Sequence, residues 1–102
     1  MAFFDLKLTP PRPTFAMDMS DEERAVMMAH RVYMDRYFAE GKVLIFGPVL
    51  DPEGAFGMGV MECESVEEVQ TIMADDPSVK GGLNRLEVHS MRIGGAQASR
   101  TQ

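Results

Sequence analysis

A segment with helix signals at both of its ends constrains the fold of this chain most. Ser20-Asp21-Glu22-Glu23 has the pattern of a capping box, in which Ser20 is the N-cap and Glu23 is the third helical residue. Gly41 follows the last residue of the periodic pattern and suits the left-handed position just beyond a helix. The sequence therefore predicts a helix from about Asp21 to Glu40.

His30 lies near the centre of the apolar stripe of this predicted helix. At about 100° per residue, the apolar and aromatic residues within about 80° of it are Val26, Met27, Tyr33, Met34, Tyr37 and Phe38. One interpretation is a core histidine whose ring bonds a backbone carbonyl. The other is a functional imidazole, which would need a carboxylate partner to fix its tautomer. The periodicity leaves both interpretations open.

The length and charge of the chain limit its class and its partners. With 102 residues we expect one domain, residues 1–94, followed by a disordered tail at 95–102. The net charge of −6 argues against nucleic acid and against an anionic membrane surface as partners. No apolar run approaches the roughly 18 residues of a membrane span, and Met1–Asp5 lacks the basic start of a signal peptide.

Few residues favour metal, redox or thiol chemistry. Cys63 is the one cysteine, which excludes an intrachain disulfide and fits a reducing compartment. Its neighbours Glu62 and Glu64 should raise the pKa of the thiol and make it a poor nucleophile. His30 and His89 are the only histidines, so we expect no metal site. Without a glycine fingerprint after a strand or a CxxC motif, we also expect no cofactor.

Strand and turn signals divide the rest of the chain. The segment Thr9–Met19 contains three prolines and predicts a loop that has neither helix nor central strand. A second capping box, Ser65–Glu68, begins a helix that ends at Asp75-Asp76-Pro77, since the residue before proline avoids the helical region. The predicted strands are Phe3–Leu8, Lys42–Phe46 closed by Gly47-Pro48, Ala55–Cys63, and about Arg85–Ile93.

The resulting order, β-α-β-β-α-β, predicts an α+β fold of the ferredoxin-like type, a four-stranded antiparallel sheet with two helices on one face. The uncovered face needs a cover, and a second subunit is the usual one, so we expect a homodimer. Gly57 and Gly59 leave one face of their strand without side chains, which is a second reason to expect a close contact. A weaker apolar set opposite His30 is either scattered surface or a contact in a higher homo-oligomer: Ala25, Met28, Val32 and Ala39.

Three motifs, in this order, resemble the YCII-related proteins. His30 on the first helix is followed, after sixteen intervening residues, by Gly47-Pro48. Glu40-Gly41 ends that helix, and Asp76–Gly82 has the pattern Asp-Pro-x-Val-x-x-Gly. The resemblance spans Asp21 to Met91.

This resemblance implies a dimeric α/β barrel of the ferredoxin-like group, a bacterial cytoplasmic protein, and an active site made of His30 and Asp76. Some members of the family look like dehydrochlorinases of chlorinated hydroxyquinols, and related barrels include muconolactone isomerases. The sequence supports the same pair, because both helices should lie on one face of the sheet and Asp76 ends the second helix. Asp75 is the competing carboxylate, but it is not fixed by the turn at Pro77.

Two functions are the alternatives. In the first, the protein is a cofactor-independent enzyme that eliminates or isomerises a small, aromatic-derived substrate, with His30 as general acid or base and Asp76 orienting it. In the second, it is a non-catalytic module that binds a small molecule or serves as a structural dimer. The predicted substrate-binding residues are Arg12 for an anionic oxygen, Phe15 for an aromatic face, Tyr33 and Gly47.

Overall fold

The computed structural model describes residues 1–97, so positions 98–102 of the predicted tail lie outside the described residues. Within that range, no helix has both the length and the apolar character needed to cross a membrane. The elements, in chain order, are β1 (Ala2–Thr9), α1 (Phe15–Asp18), α2 (Asp21–Ala39), β2 (Val43–Val49), β3 (Phe56–Cys63), α3 (Val66–Ala74), α4 (Pro77–Lys80) and β4 (Arg85–Met91).

The four strands form one antiparallel sheet in the order β2-β3-β1-β4. The central strands β1 and β3 pair from Ala2 opposite Cys63 to Leu8 opposite Gly57. Both long helices pack on the same face of this sheet, since α2 and α3 contribute buried side chains to one cluster. The predicted α+β, ferredoxin-like arrangement is therefore confirmed.

The core lies between the helices and the face of β1 that carries Phe4, Leu6 and Leu8. These residues alternate along the strand, and alternate residues point to the same face of a sheet. Burial of an apolar side chain of this size contributes about 1.5–3 kcal/mol. The buried members of the cluster are Phe4, Leu6, Leu8, Met34, Val43, Met61, Cys63, Val69 and Met73.

Gly57 and Gly59 face the helices, on the core side of the sheet. Gly59 lies opposite Leu6 and Gly57 lies opposite Leu8. A Cβ atom on Gly59 would be 3.3 Å from the Ile45 carbonyl oxygen, and one on Gly57 would be 3.3 Å from Leu8 Cβ. The glycines therefore permit close packing within the subunit. They lie on the covered face and give no support to a contact between subunits.

Both ends of α2 have the predicted geometry. Ser20 Oγ accepts a hydrogen bond from Glu23 N at 3.1 Å, and Glu23 Oε1 accepts one from Ser20 N at 2.8 Å. The helix ends at Ala39, and Gly41 has a φ of +84°, a left-handed value that favours glycine.

Half of the second capping box forms. Ser65 Oγ accepts from Glu68 N at 3.2 Å, as predicted. The Glu68 carboxylate, however, accepts from Glu64 N at 2.8 Å and from Lys42 Nζ at 2.9 Å. The side chain of Glu68 thus connects α3 to the chain before β2.

Three segments differ from their prediction by more than one or two residues at an end. β2 continues through Gly47-Pro48 to Val49, because an edge strand tolerates a proline that cannot donate to the ladder. The segment predicted as loop contains α1, which begins after the last proline and is not interrupted by it. The predicted turn after Pro77 is α4, a single turn of helix with proline at its first position. One turn is too short for a periodic signal in the sequence.

Arg12 ties the proline-rich segment to the start of α2. Its guanidinium donates to Asp18 Oδ1 at 2.8 Å and to the two carboxylate oxygens of Glu23 at 2.8 and 2.9 Å. This fork matches the geometry of a carboxylate. The hydrogen bonds from Arg12 lower the pKa of Glu23 to about 2.

We expect this contact to make the protein less stable as the pH becomes acidic. Folding lowers the pKa of Glu23 from 4.5 to about 2, so the ionised form is favoured in the folded state. The stabilisation from Glu23 is fully present above the unfolded value and is lost as the pH falls from 4.5 to about 2. Glu23→Gln should therefore flatten the loss of stability across that window, measured by urea denaturation at several pH values.

Glu22→Gln is the matched control, because Glu22 is an exposed carboxylate in the same first turn of α2. It should leave the acid dependence unchanged. Equal flattening in the two variants would mean that the general charge of the helix start, and not the contact with Arg12, causes the effect.

Candidate active site

His30 lies on the part of α2 that packs against the start of α4. Its Nδ1 atom is 2.8 Å from Oδ2 of Asp76, and its side chain keeps 13% of its accessible surface. Met34, four residues later on the same stripe, is buried in the core. The predicted contact between His30 and Asp76 is therefore present, and the catalytic role of the pair stays a prediction.

Asp76 is held in place by the local structure at the start of α4. Its φ and ψ of −60° and 126° are extended, which is the conformation that a following proline favours. As the N-cap, its Oδ1 accepts from Ser78 N at 3.1 Å, while Oδ2 accepts from Ser78 Oγ at 3.2 Å. The side chain has no exposed surface. These hydrogen bonds replace those that the carboxylate would form with water, which the burial of a charged group requires.

The geometry gives the two ring nitrogens of His30 different roles. A carboxylate only accepts hydrogen bonds, so the network assigns a proton to Nδ1, which donates to Asp76. In the neutral ring, Nε2 then carries the lone pair and can take a proton from a substrate. The adjacent carboxylate stabilises the positive charge that develops on the ring. This arrangement is suited to general acid–base chemistry.

The other acidic and thiol groups are placed differently. Asp75 ends α3 as its C-cap and is exposed, whereas Asp76 is buried. Burial, and to a smaller extent the nearby Glu68 carboxylate, raises the pKa of the Cys63 thiol to about 11. The thiol is thus a poor nucleophile as predicted, although burial is the main cause. Among residues 1–97, no group of three or more His, Cys, Asp or Glu side chains is arranged to hold a metal ion.

A nearly buried amide, Asn84, extends the site towards the N-terminal end of α2. Its backbone N donates to Ser78 O at 2.8 Å, and its Nδ2 contacts Met27 Sδ at 3.6 Å. Met27 lies one turn before His30. Asn84 also borders an open cavity of about 430 Å³, which has no contact with His30 and is lined by Thr9, Pro10, Pro11, Gly82, Leu83, Asn84 and Arg85.

Arg12 and Phe15 lie against each other in the proline-rich segment. The guanidinium carbon of Arg12 is 5.4 Å from the centre of the Phe15 ring, and Phe15 is buried. The guanidinium already donates to Asp18 and Glu23. An anionic substrate oxygen would have to compete with two carboxylates, so substrate binding by Arg12 and Phe15 stays a prediction.

Tyr33 and Gly47 are the other two predicted substrate-binding residues. The Tyr33 hydroxyl donates to Ile72 O at 2.6 Å and so links α2 to α3. Burial, together with the neighbouring Tyr37 hydroxyl, raises the pKa of Tyr33 well above its ordinary value. Gly47 lies opposite Met58, on the sheet face that points away from the helices. Their contacts with a substrate also stay predictions.

Ser78 and Asn84 are buried polar residues that do not stand out in the sequence. Ser78 follows Asp76-Pro77, and a serine two residues after an aspartate is typical of local hydrogen bonds between side chain and backbone. That pattern could have indicated Ser78. Asn84 follows Gly82-Leu83, where an asparagine is equally typical of an exposed turn. Its burial therefore has no signal in the sequence.

Comparison with known proteins places the chain in a family. Residues 6–92 match the YCII-related domain, a range that includes both His30 and Asp76. The chain belongs to the YCII-related family. A relative from Bacillus subtilis (strain 168), the uncharacterized protein YjpA, is 34% identical over 64 residues, which cover 63% of this chain and 73% of the relative.

A solved structure shares the fold of this YCII-related protein. It is the 5-chloro-2-hydroxyhydroquinone dehydrochlorinase TftG from Burkholderia phenoliruptrix AC1100, in complex with 2,5-dihydroxybenzoquinone. The two structures have a TM-score of 0.66 and 23% sequence identity, over 89% of this chain and 95% of TftG. At this identity the likeness shows a common fold.

We expect His30 and Asp76 to be coupled energetically. Removal of either partner leaves the other without its hydrogen bond, and Asp76 is fully buried. His30→Ala and Asp76→Ala should each destabilise the protein, and the double variant should lose less than the sum. The expected coupling is about 1.5–3 kcal/mol, the range for a hydrogen bond to a charged group. Urea denaturation of the four proteins measures it.

His89→Ala combined with Asp76→Ala is the matched control, because the His89 side chain is 67% exposed and lies on β4. The effects of these two substitutions on the free energy of unfolding should add to within about 0.5 kcal/mol. If the His30 cycle is additive within the same limit, the contact contributes nothing to stability.

Proposed function

We propose that this protein is a cofactor-independent enzyme in which His30 and Asp76 perform general acid–base chemistry on a small organic molecule. The observation that carries the proposal is the 2.8 Å contact between His30 Nδ1 and Oδ2 of the fully buried Asp76. It orients the ring so that Nε2 is the base. General acid–base catalysis of this kind contributes about 10²–10⁴-fold.

The proposed reactions are eliminations and isomerisations of hydroxylated, aromatic-derived molecules. In an elimination, His30 Nε2 takes a proton, the released electron pair forms the new double bond, and a halide leaves with its own bonding pair. In an isomerisation, the same nitrogen returns the proton to another atom of the substrate. The support is the fold shared with a dehydrochlorinase that binds a dihydroxybenzoquinone.

A non-catalytic module that binds a small molecule is the second candidate. The observation that favours it is the limited access to the imidazole, whose side chain is 13% exposed. The cavity beside Asn84 is lined by other residues. In this alternative, His30 completes a buried hydrogen-bond network and transfers no proton.

We expect activity to depend on both members of the pair. Chlorinated hydroxyquinols, muconolactones and dienoates form the substrate panel. For an active substrate, His30→Ala should lower kcat/KM by about 10²-fold or more, because it removes the proton acceptor. Asp76→Asn should lower it as well, since the amide can present a donor to Nδ1 and favour the wrong tautomer.

His89→Ala is the control and should retain activity, because that histidine is exposed. Binding of panel compounds without turnover would favour the non-catalytic module. Full activity of His30→Ala would contradict the enzymatic role of the pair.

We further propose that the protein is a cytoplasmic homodimer formed through the open face of the sheet. The residues of β3 that alternate with the core face are Phe56, Met58 and Val60, of which Val60 is already buried within one subunit. Ile45 and Met91, at the two edges of this face, are 58% and 40% exposed. Apolar side chains on an uncovered sheet are suited to burial against a second copy.

Sedimentation at micromolar concentration should show twice the monomer mass of 11.3 kDa. Met58→Lys, which places a charge on the open face, should shift the protein towards monomer. Met28→Glu and Val32→Glu, on the exposed outer face of α2, test a larger assembly and should reduce only species above the dimer. A monomeric wild-type protein would contradict the dimer.

A further inference from the structure

We propose that Ser78 is a positioning residue for the pair: its hydroxyl orients the Asp76 carboxylate, and the carboxylate thereby keeps the His30 proton on Nδ1. The catalytic meaning of this role rests on the proposed function. The positioning itself is a property of the folded protein, and it can be measured without a substrate.

The contacts of the carboxylate divide between two residues. Oδ1 accepts from Ser78 N at 3.1 Å, and Oδ2 accepts from Ser78 Oγ at 3.2 Å and from His30 Nδ1 at 2.8 Å. Within the described residues, every hydrogen bond to the side-chain carboxylate of Asp76 that does not come from His30 comes from Ser78. Both Asp76 and Ser78 have no exposed surface, so water does not replace these donors.

The hydroxyl has an effect that the backbone amide alone does not have. The terminal torsion of an aspartate is broad and weakly restricted. The amide of Ser78 anchors Oδ1 and leaves the carboxylate able to rotate about that anchor. A second donor on Oδ2 fixes the plane of the carboxylate and presents Oδ2 to the imidazole. Loss of the hydroxyl should therefore loosen the contact between Oδ2 and Nδ1.

The hydroxyl also competes with His30 for the same oxygen, and this effect has the opposite sign. Its distance of 3.2 Å is longer than the usual O–H···O hydrogen bond, whereas the His30 contact of 2.8 Å is short. The competition is therefore weak, and we expect the loss of orientation to dominate.

The backbone presents the hydroxyl from a fixed position. Pro77 begins α4, and Ser78 O accepts from Asn84 N at 2.8 Å. The residue is thus held on both sides, by the short helix and by the loop that leads into β4. A side chain on so restricted a backbone can orient its neighbour.

The test is nuclear magnetic resonance of the full chain with ¹⁵N-labelled histidine, at a pH where the ring is neutral. The shifts of the two ring nitrogens give the tautomer ratio of His30, and the Nδ1 proton gives its exchange rate with water. In the wild type the Nδ1–H tautomer should dominate by about tenfold or more. In Ser78→Ala the preference should fall by about tenfold, and the proton should exchange faster.

The chain offers two matched controls. Ser65→Ala removes the N-cap hydroxyl of α3, so it costs stability without touching the pair, and the His30 signals should not change. His89 is exposed and serves as the internal reference in every spectrum. If Ser78→Ala does not fold, Ser78→Cys replaces the hydroxyl with a slightly larger thiol that is a weak donor, and its tautomer ratio should shift in the same direction.

The result decides the role of Ser78 separately from catalysis. An unchanged tautomer ratio and exchange rate would overturn the proposal, and so would a slower exchange that indicates a stronger contact. Neither result would bear on the substrate panel, where His30→Ala decides whether the pair is catalytic. A shifted tautomer ratio together with an inactive panel would confirm the positioning and contradict the enzyme.

Discussion

A carboxylate with no exposed surface must be matched by hydrogen-bond donors, and this constraint determines how the helices of the protein meet. Asp76 obtains its donors from Ser78 in α4 and from His30 in α2. A buried group left without a donor costs about 1–3 kcal/mol, and more when it is charged. Because the donors come from two separate helices, the carboxylate restricts the distance between α2 and α4. The geometry of the candidate active site and the packing of α2 on α4 therefore have the same physical cause.

The elements of the fold could be predicted from the sequence because their determinants are local. Ser20 and Gly41 mark the ends of α2 by hydrogen bonds and backbone angles that involve only nearby residues. The alternation along β1 separates a buried from an open face in the same local way. The pairing of His30 with Asp76 followed from the order of the elements and from the motifs shared with the family. The distance between them depends on the single turn of α4, for which the sequence has no periodic signal.

The predictions that failed depend on contacts distant in the sequence or on the choice of sheet face. Because side chains alternate along a strand, Gly57 and Gly59 must lie on one face of the sheet. The alternation does not indicate which face the helices cover. The fork of Arg12 is occupied by Glu23, eleven residues later, and the predicted contact of Arg12 with a substrate stays a prediction. Pro48 would end a central strand, and it is tolerated because β2 lies at an edge. Each case requires knowledge of the partner, which a single sequence does not contain.

A partner that is distant in the sequence also explains why a histidine interrupts the apolar stripe of α2. The apolar stripe of a helix usually packs against a single hydrophobic core. The stripe of α2 instead contacts different partners along its length. Near Met34 the partner is the hydrophobic core on the sheet, and an apolar side chain is required. At His30 the partner is the buried Asp76, and near Met27 it is the amide of Asn84. A leucine in place of His30 would match the stripe, but it would remove the donor that α2 supplies to the carboxylate and leave only those of Ser78. The polar residue is thus the one that the local surroundings require, whether or not a substrate uses it.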